Sequence, residues 1–102
     1  MDVYVYVIGP QDHGPVKIGY SKNVEARLRQ LQTGHPEPLM IHAKEGFTTK
    51  MGKAVERKFL REMNYQKAEG EWINVSPSDA VRHLEWYAIR YSEEPDHMAK
   101  YI

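Results

Sequence analysis

The chain has 102 residues, enough for one domain, with 41% hydrophobic and 27% charged residues, ordinary values for a globular protein. It has no cysteine, which excludes disulfide staples and thiolate metal sites and suits a reducing cytoplasm. Fourteen basic residues balance fourteen acidic ones, so the chain is not a uniformly basic nucleic-acid binder.

The opening MDVYVYVIG is apolar but lacks a basic flank and meets a turn at Gly9-Pro10, so it reads as a strand and not as a signal peptide. No apolar run approaches the roughly 20 residues that span a membrane. Residues 3–8 alternate strictly, with Val3, Val5 and Val7 on one face and Tyr4, Tyr6 and Ile8 on the other. Residues 9–15 are a loop by their turn chemistry, and residues 16–20 form a second strand, antiparallel to the first. Ser21 or Asn23 caps a helix with the apolar stripe Val24, Leu28 and Leu31, and Gly34 stops it. His35-Pro36-Glu37-Pro38 must be loop. A third strand follows from Leu39 to Phe47. Thr48 or Thr49 starts a second helix that runs to about Asn64. Tyr65 to Gly70 is a polar connection, and Glu71 to Val75 is a short extended piece. Ser76, Pro77 and Asp79 open a third helix, whose buried side is Val81, Leu84, Ala88 and Tyr91. The expected fold is α+β, a small central three-stranded antiparallel sheet flanked by three helices. It occupies residues 1–91, and residues 92–102 form an acidic C-terminal tail, frayed or dependent on a partner.

Three places break these patterns. Arg27 lies about 60° from Val24 on the margin of the first helix's apolar stripe. It is either a snorkelling arginine whose stem covers apolar surface or a functional cation. In the second helix Met51, Val55, Phe59, Leu60 and Met63 trace an apolar arc, and Glu56 lies inside it. A carboxylate there needs an arginine, a hydrogen-bond network or a metal ion. A buried pair with Arg27 and a metal ligand both meet that need. Third, Tyr6 and Lys17 project from neighbouring strands. Lys17 is either solvated or drawn to the same sheet surface. Were Tyr6, Lys17, Arg27 and Glu56 to meet there, the set would suit phosphoryl transfer. The carboxylate would hold a divalent ion, the arginine would meet phosphate charge, and the tyrosine or lysine would handle the attacking water.

The same residues resemble the GIY-YIG nuclease superfamily. Tyr4-Val5-Tyr6-Val7-Ile8 is similar to its first motif, and Lys17-Ile18-Gly19 to its second, eight residues before Arg27. Residues 54–60, Ala-Val-Glu-Arg-Lys-Phe-Leu, are similar to its glutamate helix, and Glu71-Trp72-Ile73 to a strand of a phage and bacterial branch. The resemblance spans about residues 3–75. It implies hydrolysis of DNA phosphodiester bonds with one Mg2+ or Mn2+ ion. Tyr6 would be the general base or would orient the water. Lys17 would assist water or phosphate, and Arg27 would stabilise the pentavalent phosphate. Glu56 would be the sole protein ligand to the metal, as suits magnesium, which tends to keep its waters. Three positions depart from the pattern. Tyr4 replaces the first motif's glycine, and Lys17 replaces the second motif's tyrosine, as in some restriction nucleases of the superfamily. Leu31 stands where many members have histidine. Tyr20 points the wrong way to replace the missing tyrosine. His35 sits just past the helix end, where it is either a plain loop histidine or a substitute for that histidine, and neither His13 nor His42 has a second ligand at metal spacing.

Charge is unevenly laid out. Residues 48–67 carry six basic groups against two acidic ones, and residues 68–102 carry three against seven. Lys50, Lys53, Arg57, Lys58 and Arg61 form a basic helix side, either ordinarily solvated or able to hold DNA phosphates without regard to sequence. No zinc finger, helix-turn-helix or long basic arm is visible, so low intrinsic sequence specificity is expected. A DNA-reading partner protein or a homodimer would supply any further selectivity, and the acidic tail could dock such a partner. The rival readings are a DNA- or protein-binding module of the same fold without turnover, and an interaction protein that masks a host factor.

Overall fold

The computed structural model describes residues 2–63 and 72–102. Strand β1 (Val3–Gly9) pairs antiparallel with β2 (Val16–Ser21) on one side and with β3 (Met40–Phe47) on the other. A fourth strand, β4 (Trp72–Ile73), pairs antiparallel with β2 through Val16 and Lys17, giving the order β3-β1-β2-β4. The α+β class holds, and the sheet has one strand more than the sequence suggested. Its extended conformation was expected within Glu71 to Val75; its pairing with β2, between residues far apart in sequence, was not. The expected helix end at Asn64, the connection from Tyr65 to Gly70, and Glu71 lie outside the described residues.

Alternation along β1 sorts the core into two layers. Val5 and Val7, with Val16 and Ile18 of β2 and Phe47 of β3, pack against helices α2 (Thr49–Glu62) and α3 (Pro77–Tyr91) through Met51, Val55, Phe59, Leu84 and Tyr87. Tyr6 and Ile8, on the other face, pack with Leu39 and with Val24, Leu28 and Leu31 of helix α1 (Val24–Gln32). β1 is thus covered on both faces, and each large apolar side chain buried there contributes about 1.5–3 kcal/mol. β3 carries one extra residue, His42, between the pairs Val7–Ala43 and Ile8–Ile41. Its Nε2 donates to the carbonyl of Pro10 at 2.7 Å.

Helices α1, α2 and α3 each begin on an N-cap side chain. Asn23 accepts from the amide of Ala26 (3.0 Å), Thr48 from Met51 (3.3 Å) and Ser76 from Asp79 (3.2 Å). Beyond α1 the chain turns through Gly34 at φ +82°, a left-handed conformation that glycine adopts without a Cβ penalty. The tail is not frayed. Residues Asp96–Tyr101 form a 3-10 helix whose Ala99 is 6% exposed and belongs to the core of the α2–α3 layer, and Ile102 packs beside it. The Thr48 hydroxyl donates to the carboxylate of Asp96, tying this segment to the start of α2. Among the described residues no helix is long and apolar enough to cross a membrane.

Candidate active site

β4 covers β2 at Val16 and Lys17, and the described residues give the rest of that edge, Ile18 to Ser21, no further strand. Here α1 on one face of the sheet and α2 on the other bound a cleft of about 340 Å³. Its walls include Tyr6, Lys17, Gly19, Arg27, Glu56 and Leu60. The four residues expected to meet, from β1, β2, α1 and α2, therefore line one cavity.

Strand register sets the first two. Tyr6 lies opposite Gly19, and Ile8 opposite Lys17. Cross-strand partners share a face, so Tyr6, Gly19 and Lys17 all look toward the α1 side. The Tyr6 ring crosses directly over Gly19. A Cβ at position 19 would stand 2.3 Å from the Tyr6 Oη and 2.7 Å from its Cζ, closer than real Cβ atoms approach. Glycine is needed there because another side chain occupies the space a residue's own side chain would take. Sequence reading missed this role, although a glycine inside a strand was the available signal.

Lys17 is 6% exposed, which removes the reading of a solvated hairpin lysine. It sits in the cross-strand row Ile8–Lys17–Trp72, so β4 brings an indole alongside its stem. A buried ammonium costs several kcal/mol unless it is compensated. Tyr6, Lys17 and Glu56 all have interaction partners in the fold. No buried side-chain nitrogen or oxygen among the described residues lacks a hydrogen bond.

Arg27, in the first turns of α1, is half-buried. Its Nε donates to the Tyr6 hydroxyl at 3.1 Å, and Nη1 donates to Gln30 Oε1 at 3.2 Å. The guanidinium thus fixes the phenol's direction, a role beyond the packing of an arginine stem. Glu56 is half-buried in α2, where its place in the apolar arc turns it to the cleft beside Leu60. The site joins two cations, a phenol and one carboxylate, a set with formal charge +1 that complements a phosphodiester. Tyr20, expected to point away, is 36% exposed and also lines this cleft.

No group of three or more His, Cys, Asp or Glu side chains among the described residues converges to hold a metal. Among the described residues the cleft offers one carboxylate, that of Glu56, in an open polar space with room for water. That donor set fits a magnesium-like ion, which binds through one or two carboxylates and keeps several waters, and does not fit zinc. The histidines lie elsewhere. His35 Nδ1 accepts from the amide of Glu37 at 3.1 Å and its ring stacks near Trp72, so it is a loop histidine. His13 pairs with Asp12 and Glu37 at 2.9 and 3.0 Å, the Asp12 bond contributing most to raising its pKa above the usual histidine value.

The basic residues of α2 divide. Lys50, Lys53, Arg57 and Arg61 are exposed, whereas Lys58 is half-buried and pairs with Glu62 at 3.4 Å. A larger hollow, about 490 Å³, lies between α2 and α3 around Glu62, His83, Trp86 and Tyr87. Its charged groups are committed to neighbours, since Tyr87 donates to Glu62 and Arg82 pairs with Asp79.

Comparison with known proteins gives one result. The T5orf172 domain family matches residues 3–92. No curated protein and no solved structure matches the chain. The match is to this family and not to a GIY-YIG family, which corrects the resemblance drawn from the short motifs. Motifs of three to five residues whose glycine and tyrosine positions are substituted, as at Tyr4 and Lys17, carry less information than a match along 3–92. The chain belongs to the T5orf172 domain family.

Proposed function

We propose that the protein hydrolyses DNA phosphodiester bonds in the cleft beside β2, between α1 and α2. The single observation that carries this reading is the meeting of Tyr6, Lys17, Arg27 and Glu56 around one cavity, from four different elements. A fold alone does not require a lysine at 6% exposure beside an arginine-bound tyrosine, and such costly placements concentrate at functional sites.

The residues divide the work as follows. Arg27 contacts the non-bridging oxygens of the phosphate and meets the charge that grows in the transition state. The same guanidinium holds the Tyr6 hydroxyl at 3.1 Å, so the phenol is oriented to position the attacking water or take its proton. Lys17, held between Ile8 and Trp72, presents its ammonium to the same phosphate or to the water. Glu56 would hold one Mg2+ or Mn2+ ion. When bound, that ion supplies charge neutralisation and a more acidic water. DNA is the substrate class in this reading. A DNA-reading partner or a second copy of the chain supplies sequence choice, and a cytoplasmic setting belongs to the same proposal.

The test is incubation of supercoiled plasmid with the wild-type protein, Glu56→Ala and Arg27→Ala, with magnesium, manganese or chelator. Expected is metal-dependent nicking by the wild type, with each variant slower by about 10²–10³-fold. Equal cutting by wild type and Glu56→Ala would overturn the site. No cutting by any of them, with DNA binding intact, would make the domain a binding module instead.

A further inference from the structure

Away from the cleft, a groove of about 440 Å³ runs between α2 and the C-terminal 3-10 helix. Lys50, Lys53 and Arg57 line it from the helix, and Asp96, His97 and Lys100 from the C-terminal segment. We propose that this groove binds nucleic-acid backbone phosphates and that the C-terminal segment, acidic as a sequence, supplies one of its walls. The choice of occupant rests on the DNA reading given above.

Charge and placement support it. Lys50, Lys53, Arg57 and Lys100 are all exposed, and none forms an ion pair among the described residues. The one carboxylate in the groove, Asp96, accepts the Thr48 hydroxyl. Four cations thus gather in one channel of a chain whose net charge is zero. Their position also defies a local rule. Lys50 lies in the first turn of α2, which contains no acidic residue of its own and where cations oppose the helix dipole by a few tenths of a kcal/mol or more; Asp2 on the Thr49 amide (3.3 Å) and Asp96 on the Thr48 hydroxyl offset this in part. A polyanion relieves both penalties and gains further from counterion release.

Continuity with the cleft favours nucleic acid over an acidic peptide. Glu56 and Arg57 are adjacent in sequence, so the two hollows lie on neighbouring flanks of the same helix. The distance across a helix is about 10 Å, and successive phosphates of one strand advance about 3.4 Å along the duplex axis. A strand with one phosphate in the cleft therefore reaches Lys53 and Arg57 within a few nucleotides, and His97 and Lys100 close over its far side.

The test is fluorescence anisotropy with a labelled duplex oligonucleotide in chelator, across a range of salt, on wild type, Lys100→Gln, Lys100→Arg and Lys53→Gln/Arg57→Gln. Loss of each phosphate contact is expected to weaken binding several-fold and lower the slope of log K against log salt by about 1. Lys100→Gln should thus lose about one unit of slope, the double variant about two, and Lys100→Arg none. An unchanged slope and affinity in Lys100→Gln would overturn the proposal. So would competition by polyglutamate at the same charge concentration as DNA. The plasmid assay separates the two claims. Metal-dependent nicking with an unchanged slope removes the groove alone. A lowered slope without nicking keeps the groove and removes the nuclease.

Discussion

Replacing Gly19 by alanine probes how the cleft is built. The new Cβ would stand 2.3 Å from the Tyr6 Oη, 2.7 Å from Cζ and 3.2 Å from Cε2. Ordinary contact begins near 3.4 Å, so the ring must retreat by about 1 Å. Tyr6 is 2% exposed and packed with Ile8, Val24 and Leu39, and its hydroxyl is held by Arg27, so that retreat has nowhere easy to go. Overpacking of this kind costs about 1–3 kcal/mol. Removing a glycine from the unfolded chain returns about 0.4–1 kcal/mol. The steric term wins, leaving a net loss of about 1–2 kcal/mol, or a Tm lower by roughly 5–15 °C for a domain of this size. Plasmid nicking should fall further than stability does, by about 100-fold, because a 1 Å misplacement of a positioned group has that effect on rate. Thermal melting and nicking are measured on Gly19→Ala, on Tyr6→Phe and on the double variant. The double variant should recover part of the lost stability, since it removes the 2.3 Å contact, and none of the nicking. A Gly19→Ala protein that melts at or above the wild-type temperature, with full nicking, would refute the placement of the ring.

Two further outcomes are expected. Burial pushes the Glu62 carboxyl up, but the Tyr87 hydroxyl and the Lys58 ammonium outweigh it and hold the group below the usual carboxylate range. A lowered folded-state pKa adds stability above the unfolded value that is lost as pH falls through the folded one. Wild type should therefore melt above Glu62→Gln at neutral pH, and the gap should close on acidification through the carboxylate range; a gap that persists in acid would contradict this. Ala99→Glu places a charge at a site 6% exposed, and melting should show clear destabilisation. An unchanged Tm would mean that the C-terminal segment is detached after all.

Much of this arrangement was legible because it is local. Strict alternation fixed the two faces of β1, and Asn23, Thr48 and Ser76 announced the helix starts. Glu56 and Arg27 stood out because each broke a periodic pattern, and both line the cleft. What escaped depends on residues far apart in sequence. Lys17 is 6% exposed and lies opposite Trp72, fifty-five positions later, and a short extended segment does not show which strand it will join. The tail's docking rests on Ala99 fitting a core built by α2 and α3, which neither its composition nor its charge reveals. The requirement for Gly19 appears only when the Tyr6 ring is laid across the hairpin. Family membership came from the match along 3–92, where short motifs had pointed to a different family.

The most direct check on the convergent site is a crystal structure of Glu56→Gln with a short DNA duplex and manganese. Expected is a backbone phosphate in the cleft beside β2, in contact with the Arg27 guanidinium and within hydrogen-bond reach of the Tyr6 hydroxyl. Duplex bound well away from Arg27, with that cleft filled by water alone, would contradict it.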